Sequence, residues 1–268
     1  PMLRDTNIQS TWSGHEKKNK EESDVKMYDV HSHLGKTSSG EENSAALLVE
    51  DLARYGITKV GISSLSGTVT RVQNDLVHSA MQQFPGVVMG YAFINPKAPD
   101  VFDEIDRCLG DYKMNGVKFH PWKHGYYADN CPQIDEVLTA IEHYGVHIQV
   151  HVGTSPLCTP WPWIDYAKKH PGLRVLFTHM GCREFGYSTI EAVQDIPNIW
   201  METSCQEEYE NLQKAARELG SKRIVFGTDW PYNTTNIEIK KLTYLGFSDT
   251  ELEDIYYKNA EYLWSTAK

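Results

Sequence analysis

The chain has 268 residues, of which 40% are hydrophobic, so it can bury the core of one large domain or two small ones. Its net charge of −10 argues against a nucleic-acid surface, because phosphate contacts need clustered lysines and arginines. No apolar run reaches the roughly 18 residues of a membrane span. We therefore expect a cytoplasmic protein that acts on a small molecule, with no nucleic-acid or membrane partner; assembly into a homo-oligomer is left open.

The first segment of the chain, residues 1–25, is polar, mixed in charge and almost without aliphatic side chains. Such a segment cannot bury enough apolar surface to offset the conformational entropy that is lost on ordering. We predict a disordered N-terminal tail over residues 1–25, followed by one domain over residues 26–268.

From residue 26 onward, short β-branched or aromatic runs alternate with longer helical stretches. The first unit is VKMYDVH with ENSAALLVEDLARYG, the fourth is GVKFH with QIDEVLTAIEHYG, and the last is RIVFGTD with DTELEDIYYKNAEYLW. Eight such units of roughly thirty residues match a (β/α)8 TIM barrel of about 250 residues. A doubly wound sheet is disfavoured because it needs no eighth unit and no G-x-G-x-x-G follows the first strand. The predicted fold is a single-domain α/β TIM barrel.

Five potential metal ligands lie where predicted strands end: His31, His33, His151, His179 and Asp229. The first two form a His-x-His pair, and side chains two residues apart on a strand point to the same face. The others end the fifth, sixth and eighth strands, and all strand ends of a barrel meet at one face. A single histidine at a strand end usually serves structure, but the ordered set indicates a metal site. Imidazoles with one carboxylate suit Zn, Fe, Mn or Ni and leave room for a bound water.

Further polar residues follow the fourth, sixth and seventh predicted strands. Lys118 and His120 share one face of NGVKFHPW and should point into the barrel, where they could contact a substrate. Arg183, four residues past His179, could reach a substrate carboxylate, although a solvated loop charge is an equal alternative. Glu202 should also point inward, either to hydrogen-bond a ligand histidine or to stand as a satisfied core carboxylate.

The five cysteines are Cys108, Cys131, Cys158, Cys182 and Cys205. They are odd in number and include no C-x-x-C pair, which is typical of reduced thiols in a cytosolic protein. The last three follow predicted strands and so could lie near the site. Small buried side chains are the simpler interpretation.

The chain resembles the amidohydrolase superfamily, in particular its family-2 branch of metal-dependent hydrolases and decarboxylases. The resemblance covers roughly residues 26–264. It rests on DVHSH at the end of the first strand, His151 and His179 at the ends of the fifth and sixth, TDWP at the end of the eighth, and the terminal NAEYLW. TDWP and N-A-E-x-L are the specific elements, whereas H-x-H alone is weak.

This resemblance implies one divalent metal held by His31, His33, His151 and Asp229, with zinc as the first choice and Mn, Fe or Ni as alternatives. Asp229 would also take the proton of the metal-activated water and later pass it to the leaving group. His179 would either bind a second metal or orient that water.

Lys118 decides between one metal and two in this interpretation. It is similar to the carbamylated lysine that bridges two metals in urease-like and dihydroorotase-like relatives. The alternative is an ammonium that pairs with a carboxylate or with an anionic substrate, since a buried unpaired ammonium is too costly to retain. We favour the one-metal form, because family-2 decarboxylases generally use one metal without a carbamate.

The expected function is that of a metal-dependent hydrolase acting on a small amide, lactone or ester. The alternative is non-oxidative decarboxylation of an unsaturated or aromatic acid, which needs the same ligand set and would be favoured by an arginine that clamps a carboxylate near the metal. The third hypothesis is a non-catalytic metal-binding barrel. The presence of all five expected ligand positions argues against it.

Overall fold

The computed structural model describes residues 26–37, 39–65, 67 and 69–266, so the predicted tail over residues 1–25 lies outside the described residues. Nine strands form the sheet in the described residues, and eight of them are parallel: Met27–Lys36 (β1), Ile57–Ser64 (β2), Val88–Phe93 (β3), Gly116–Phe119 (β4), His147–His151 (β5), Val175–Thr178 (β6), Ile199–Glu202 (β7) and Ile224–Val225 (β8). Each is parallel to the next one in the chain. A two-residue strand, Glu42–Asn43, pairs antiparallel with the end of β1.

The sheet closes into a barrel where the segment after β8 meets β1. The backbone N–H of Val30 donates to the carbonyl of Phe226 at 3.2 Å, and that of Asp229 donates to the carbonyl of His31 at 2.7 Å. These bonds join the last strand to the first, so the backbone groups of both are paired and no open edge remains there. The predicted TIM barrel is confirmed.

Helices connect the strands on the outside of the barrel. They span Ala45–Ala53 (α1), Thr70–Gln83 (α2), Val101–Ile105 (α3), Pro121–His124 (α4), Ile134–Tyr144 (α5), Trp161–Lys169 (α6), Cys182–Ala192 (α7), Tyr209–Glu218 (α8), Thr235–Thr243 (α9), Asp249–Glu253 (α10) and Asn259–Trp264 (α11). Local signals fix several ends: the Ser44 hydroxyl accepts from the backbone of Leu47 at the start of α1, and Gly145 ends α5 with a φ of 66°. In the described part of the chain, no helix combines the length and apolar character needed to cross a membrane.

The strands alternate between the helical layer and the barrel interior. On β5, Ile148 and Val150 belong to the large apolar cluster that the helices cover. His147, Gln149 and His151 occupy the alternate positions, and the Gln149 amide donates to the carbonyl of Val30 across the barrel at 2.8 Å. The interior is therefore partly polar, and it holds the histidines that the sequence singles out.

His147 lies at the start of β5, at the end of the barrel opposite the strand tips that carry the predicted ligands. Its Nδ1 lies 3.1 Å from the carbonyl oxygen of Leu263 in α11, and its ring meets the Tyr91 ring edge-on at 5.0 Å. Burial and, as the second cause, the positive charge of Arg174 together lower the pKa of His147 to about 3. The imidazole is therefore neutral in the folded protein at neutral pH.

We predict that the free energy of unfolding falls as the pH is lowered from 7 to 5. The pKa of His147 in the folded protein lies below the ordinary value of 6.5, so its contribution is fully present above pH 6.5 and is lost as the pH falls toward the folded value. This residue should account for a loss of about 2 kcal/mol by pH 5. Urea unfolding at pH 7, 6 and 5 would measure it. His147→Gln should show a flatter pH dependence, and an unchanged slope would contradict the prediction.

Candidate metal centre

A polar cluster fills the C-terminal end of the barrel, and its scaffold is the buried carboxylate of Asp29. This carboxylate accepts from the backbone N–H of His31 at 2.8 Å, from the Ser32 hydroxyl at 2.7 Å and from the Thr228 hydroxyl at 2.6 Å. Asp29 thus ties β1 to the residue that precedes Asp229. Asp29 is the first residue of DVHSH, and Thr228 is the first residue of TDWP. The sequence did not predict this link, because only the potential metal ligands in the two motifs were considered.

Three of the predicted ligands form a compact set: His31, His33 and Asp229. Oδ1 of Asp229 lies 3.0 Å from Nε2 of His33 and 3.5 Å from Nε2 of His31. One ligand atom from each residue lies within 4.8 Å of the other two. Two imidazole nitrogens and a carboxylate oxygen that converge in this way fit a divalent transition metal.

The protonation states in this set also fit a metal. Burial lowers the pKa of His31 well below its ordinary value and also lowers that of His33, so both imidazoles are neutral at pH 7. Burial alone would raise the pKa of Asp229, but the hydrogen bond with His33 and the nearby charges lower it overall. Neutral imidazoles and an ionised carboxylate are the forms that bind metals, so binding here need not displace a proton from these groups.

Glu202 orients the first of these ligands. Its Oε2 lies 3.0 Å from Nδ1 of His31 and accepts from the Ser204 hydroxyl at 2.8 Å and from the backbone N–H of His179 at 3.1 Å. Burial raises the pKa of Glu202 to about 8 although these donors lower it. Of the two roles expected for Glu202, the hydrogen bond to a predicted ligand histidine is the one observed, and it directs Nε2 of His31 toward Asp229 and Lys118.

His179 and His151 continue the cluster beyond this set. Nε2 of His179 lies 3.3 Å from Nδ1 of His151, and burial lowers the pKa of both rings. The His151 ring stacks on His120, with centroids 4.0 Å apart and planes at 13°. His151 forms a group with His120 and Cys158, whose ligand atoms all lie within 4.8 Å of one another. His31, His33 and Asp229 form a separate group. His151 as a fourth ligand of the same metal therefore stays a prediction.

The three predicted substrate contacts lie in different surroundings. Lys118 is fully buried, and its Nζ lies 3.0 Å from Nε2 of His31. Burial lowers the pKa of Lys118 to about 8. His120 is also buried, and its Nδ1 has no hydrogen-bond partner among the described residues. Arg183 is 71% exposed, and its guanidinium donates to Glu208 at 2.6 Å, so its contact with a substrate stays a prediction.

Cys205 lies beside Asp229. Its Sγ donates to Oδ2 of Asp229 at 3.3 Å and accepts from the Asn233 side-chain amide at 2.9 Å. The sequence signal for this contact is the position of Cys205 just after the seventh strand, because the ends of neighbouring strands lie close together. The interpretation as a small buried side chain is incomplete, because Cys205 is half-buried and contacts a predicted ligand.

Three residues of the cluster share a backbone feature that no sequence pattern predicted. His179, Cys205 and Asp229 have φ values of 64°, 55° and 56°. Residues other than glycine rarely adopt this left-handed conformation, which costs of order 1–3 kcal/mol and concentrates at functional sites. The strands β6, β7 and β8 therefore end in turns that the surrounding contacts hold in place, which supports a functional role for this end of the barrel.

Solved structures with the same fold include a 2,6-dihydroxybenzoate decarboxylase from Rhizobium, with a TM-score of 0.72 and 16% identity over 89% of this chain and 98% of that chain. A probable 2-pyrone-4,6-dicarboxylic acid hydrolase from Acinetobacter baumannii gives 0.70 and 17% identity over 89% and 98%. A dihydroxybenzoic acid decarboxylase from Polaromonas with bound manganese and an inhibitor gives 0.66 and 17% identity over 81% and 84%. At these identities the likeness establishes the fold.

No curated protein sequence matches this chain. Residues 41–266 match the sequence profile of the family-2 amidohydrolases, which covers most of the chain and includes His151, His179 and Asp229. The match begins after His31 and His33, whose place in the cluster comes from the structure. The chain therefore belongs to the amidohydrolase family.

Proposed function

We propose that this protein is a metal-dependent hydrolase that acts on a small amide, lactone or ester. The observation that carries the proposal is that the two carboxylate oxygens of Asp229 have different neighbours. One carboxylate oxygen lies against the Nε2 atoms of His31 and His33, and the other faces Cys205. One oxygen can therefore bind a cation while the other remains available to accept a proton.

The proposed metal ligands are His31, His33 and Asp229, with His151 and His179 as the next donors. When bound, a divalent metal would polarise a carbonyl oxygen and lower the pKa of a water to about 7. Zinc and manganese both fit an imidazole and carboxylate set, and manganese is bound in the similar Polaromonas structure. We propose that one metal is sufficient for activity.

In this proposal, Asp229 transfers the proton and His179 orients the water. The carboxylate of Asp229 takes the proton of the attacking water and returns it to the leaving group. His179 is held by Ser204, whose hydroxyl lies 3.1 Å from Nδ1, so Nε2 is directed into the cluster and can orient the water. The lowered pKa of both groups keeps Asp229 ionised and His179 neutral at pH 7.

The proposed substrate contacts are Lys118 and His120, with Arg183 as a third. The buried ammonium of Lys118 would pair with an anionic group of the substrate, and the unpartnered Nδ1 of His120 could hydrogen-bond a polar group. Arg183 would have to leave Glu208 to reach the site. A small, negatively charged substrate is therefore favoured.

Replacing Lys118 with methionine should raise KM by roughly tenfold or more, because a hydrogen bond to a charged group contributes about 1.5–3 kcal/mol. The metal content should change less, since methionine retains the length of the buried stem. Steady-state kinetics and elemental analysis of the same samples would measure both. Loss of one of two metals, with activity restored by short carboxylates, would instead indicate a carbamylated Lys118.

Screening metal-loaded protein against small esters, lactones and amides would test the proposed function. We expect acid release from one of these classes, lost on chelation and restored by Zn²⁺ or Mn²⁺. Metal-free protein is the matched control. Turnover that survives complete removal of metal would overturn the proposal.

Decarboxylation of an unsaturated or aromatic acid is the second candidate function. The buried Lys118 next to His31 favours it, because a cation in this position could hold a carboxylate, and two of the similar structures are decarboxylases. The exposed, paired Arg183 gives it no further support. Release of CO₂ from a panel of such acids, without hydrolysis of esters or lactones, would select this candidate. Stoichiometric metal without either activity would select the non-catalytic barrel.

A further inference from the structure

The second oxygen of Asp229 belongs to another group of ligand atoms. His179, Cys205 and Asp229 each offer one atom within 4.8 Å of the other two. The set combines an imidazole, a thiol and a carboxylate, and it shares only Asp229 with the set that contains His31 and His33. Its thiol introduces a soft ligand that the first set lacks.

Contacts on both sides of Cys205 hold the thiol in place. The Lys241 ammonium donates to the carbonyl oxygens of Thr203 at 2.9 Å and Gln206 at 3.4 Å, which flank Cys205. The Gln206 side chain donates to the carbonyl of His179 at 3.3 Å, so the loop after β7 is tied to the turn after β6. The loop therefore presents the sulfur to Asp229 without needing to rearrange.

The sulfur and one carboxylate oxygen of Asp229 have the spacing of two ligands on one cation. Its distance to Oδ2 of Asp229 is 3.3 Å. With Zn–S near about 2.3 Å and Zn–O near about 2.0–2.2 Å, two such ligands on one tetrahedral ion lie roughly this far apart. The Asn233 amide also donates to the sulfur at 2.9 Å. Burial and the neighbouring Asp229 carboxylate raise the pKa of the Cys205 thiol, so its proton leaves only when a cation binds to the sulfur.

We propose that His179, Cys205 and Asp229 form a second metal position, selective for thiophilic divalent cations such as Zn²⁺ and Cd²⁺. Binding forms a bond from the metal to Sγ of Cys205, breaks the S–H bond and releases that proton to solvent, with no change in oxidation state. Manganese, which prefers oxygen and nitrogen ligands, occupies only the first position.

An effect on activity follows, and it rests on the proposed function. A cation in the second position binds the Asp229 oxygen that faces Cys205, which is the oxygen proposed to accept the proton of the water. Zn²⁺ or Cd²⁺ in excess of one equivalent should therefore inhibit the manganese-loaded enzyme without displacing its manganese.

The direct test is to load the protein with one Mn²⁺ per chain and then to titrate it with Cd²⁺. Thiolate binding gives an ultraviolet ligand-to-metal charge-transfer band, which needs no knowledge of the substrate. We expect the band to saturate near one Cd²⁺ per chain while manganese is retained. Cys205→Ser should abolish the band and weaken Cd²⁺ binding at least about tenfold.

The matched control is Cys158→Ser, because Cys158 lies in the other thiol-containing group, with His120 and His151. This variant should keep the band. A band lost in Cys158→Ser but kept in Cys205→Ser would overturn the assignment, as would one Mn²⁺ released for each Cd²⁺ bound. Absence of a band in folded wild-type protein would also overturn it. A band that saturates without inhibition would support the second position and refute the role of Asp229 as proton acceptor.

Discussion

Asp229→Asn is expected to lower turnover by about 10²–10⁴-fold, the range that general acid–base catalysis contributes. The amide cannot accept a proton, although its oxygen can still face the Nε2 atoms of His31 and His33. The loss should therefore appear in kcat, with a smaller loss of bound metal. Asp229 lies beside both histidines, so the substitution removes the negative charge from the ligand set but keeps one oxygen that can face a metal.

Steady-state kinetics and elemental analysis of the same preparation would check this result. Asp51→Asn is the matched control, because the Asp51 carboxylate accepts from the indole of Trp230, the residue after Asp229, at 3.0 Å. Asp51→Asn changes a neighbouring carboxylate that is neither a proposed metal ligand nor a proposed catalytic group. Wild-type kcat in Asp229→Asn would refute Asp229 as the base, whereas complete loss of metal would show that its main role is coordination.

His33→Ala should reduce the affinity for the first metal more than about 100-fold, because even residues that only support a ligand contribute 10–100-fold. His33 is the better target than His31. Removal of the His31 ring would take one hydrogen-bond partner from each of the buried groups of Glu202 and Lys118, and the loss of stability would obscure the loss of metal.

Competition with a metal-sensitive dye would measure this affinity, with circular dichroism as the test of folding. His143→Ala is the matched control, since His143 is an exposed histidine on α5. It should bind metal as the wild type does. A folded His33→Ala protein with unchanged affinity would show that the set of His31, His33 and Asp229 is not the metal site.

The barrel and the general place of the candidate site could be predicted from sequence. Eight apolar runs, each followed by a helical stretch, admit few other arrangements, and the C-terminal ends of parallel barrel strands meet at one face. His31 and His33 lie in the first strand near the C-terminal end of its neighbour, and Asp229 follows the eighth strand, so their approach follows from connectivity. The family resemblance rests on the same positions, and the match over residues 41–266 confirms it.

The partners of each side chain could not be predicted in the same way. Arg183 follows the sixth strand closely enough to reach a substrate, yet Glu208 on the next loop binds its guanidinium. His151 ends the fifth strand as expected, and its ring stacks on His120, a contact that the sequence did not predict. Each outcome depends on which group from another strand lies nearest, and that information is not local in the sequence.

The sequence by itself determined the fold, the end of the barrel that carries the site and the residue types present there, because hydrophobic periodicity and strand order are properties of the chain. Only the tertiary structure decided that Asp29 links β1 to Thr228, that Glu202 orients His31 and that Cys205 faces Asp229. These pairs join residues 199, 171 and 24 positions apart. They form because barrel closure and the left-handed turns after β6, β7 and β8 bring particular atoms within hydrogen-bonding distance, and sequence spacing does not encode such distances.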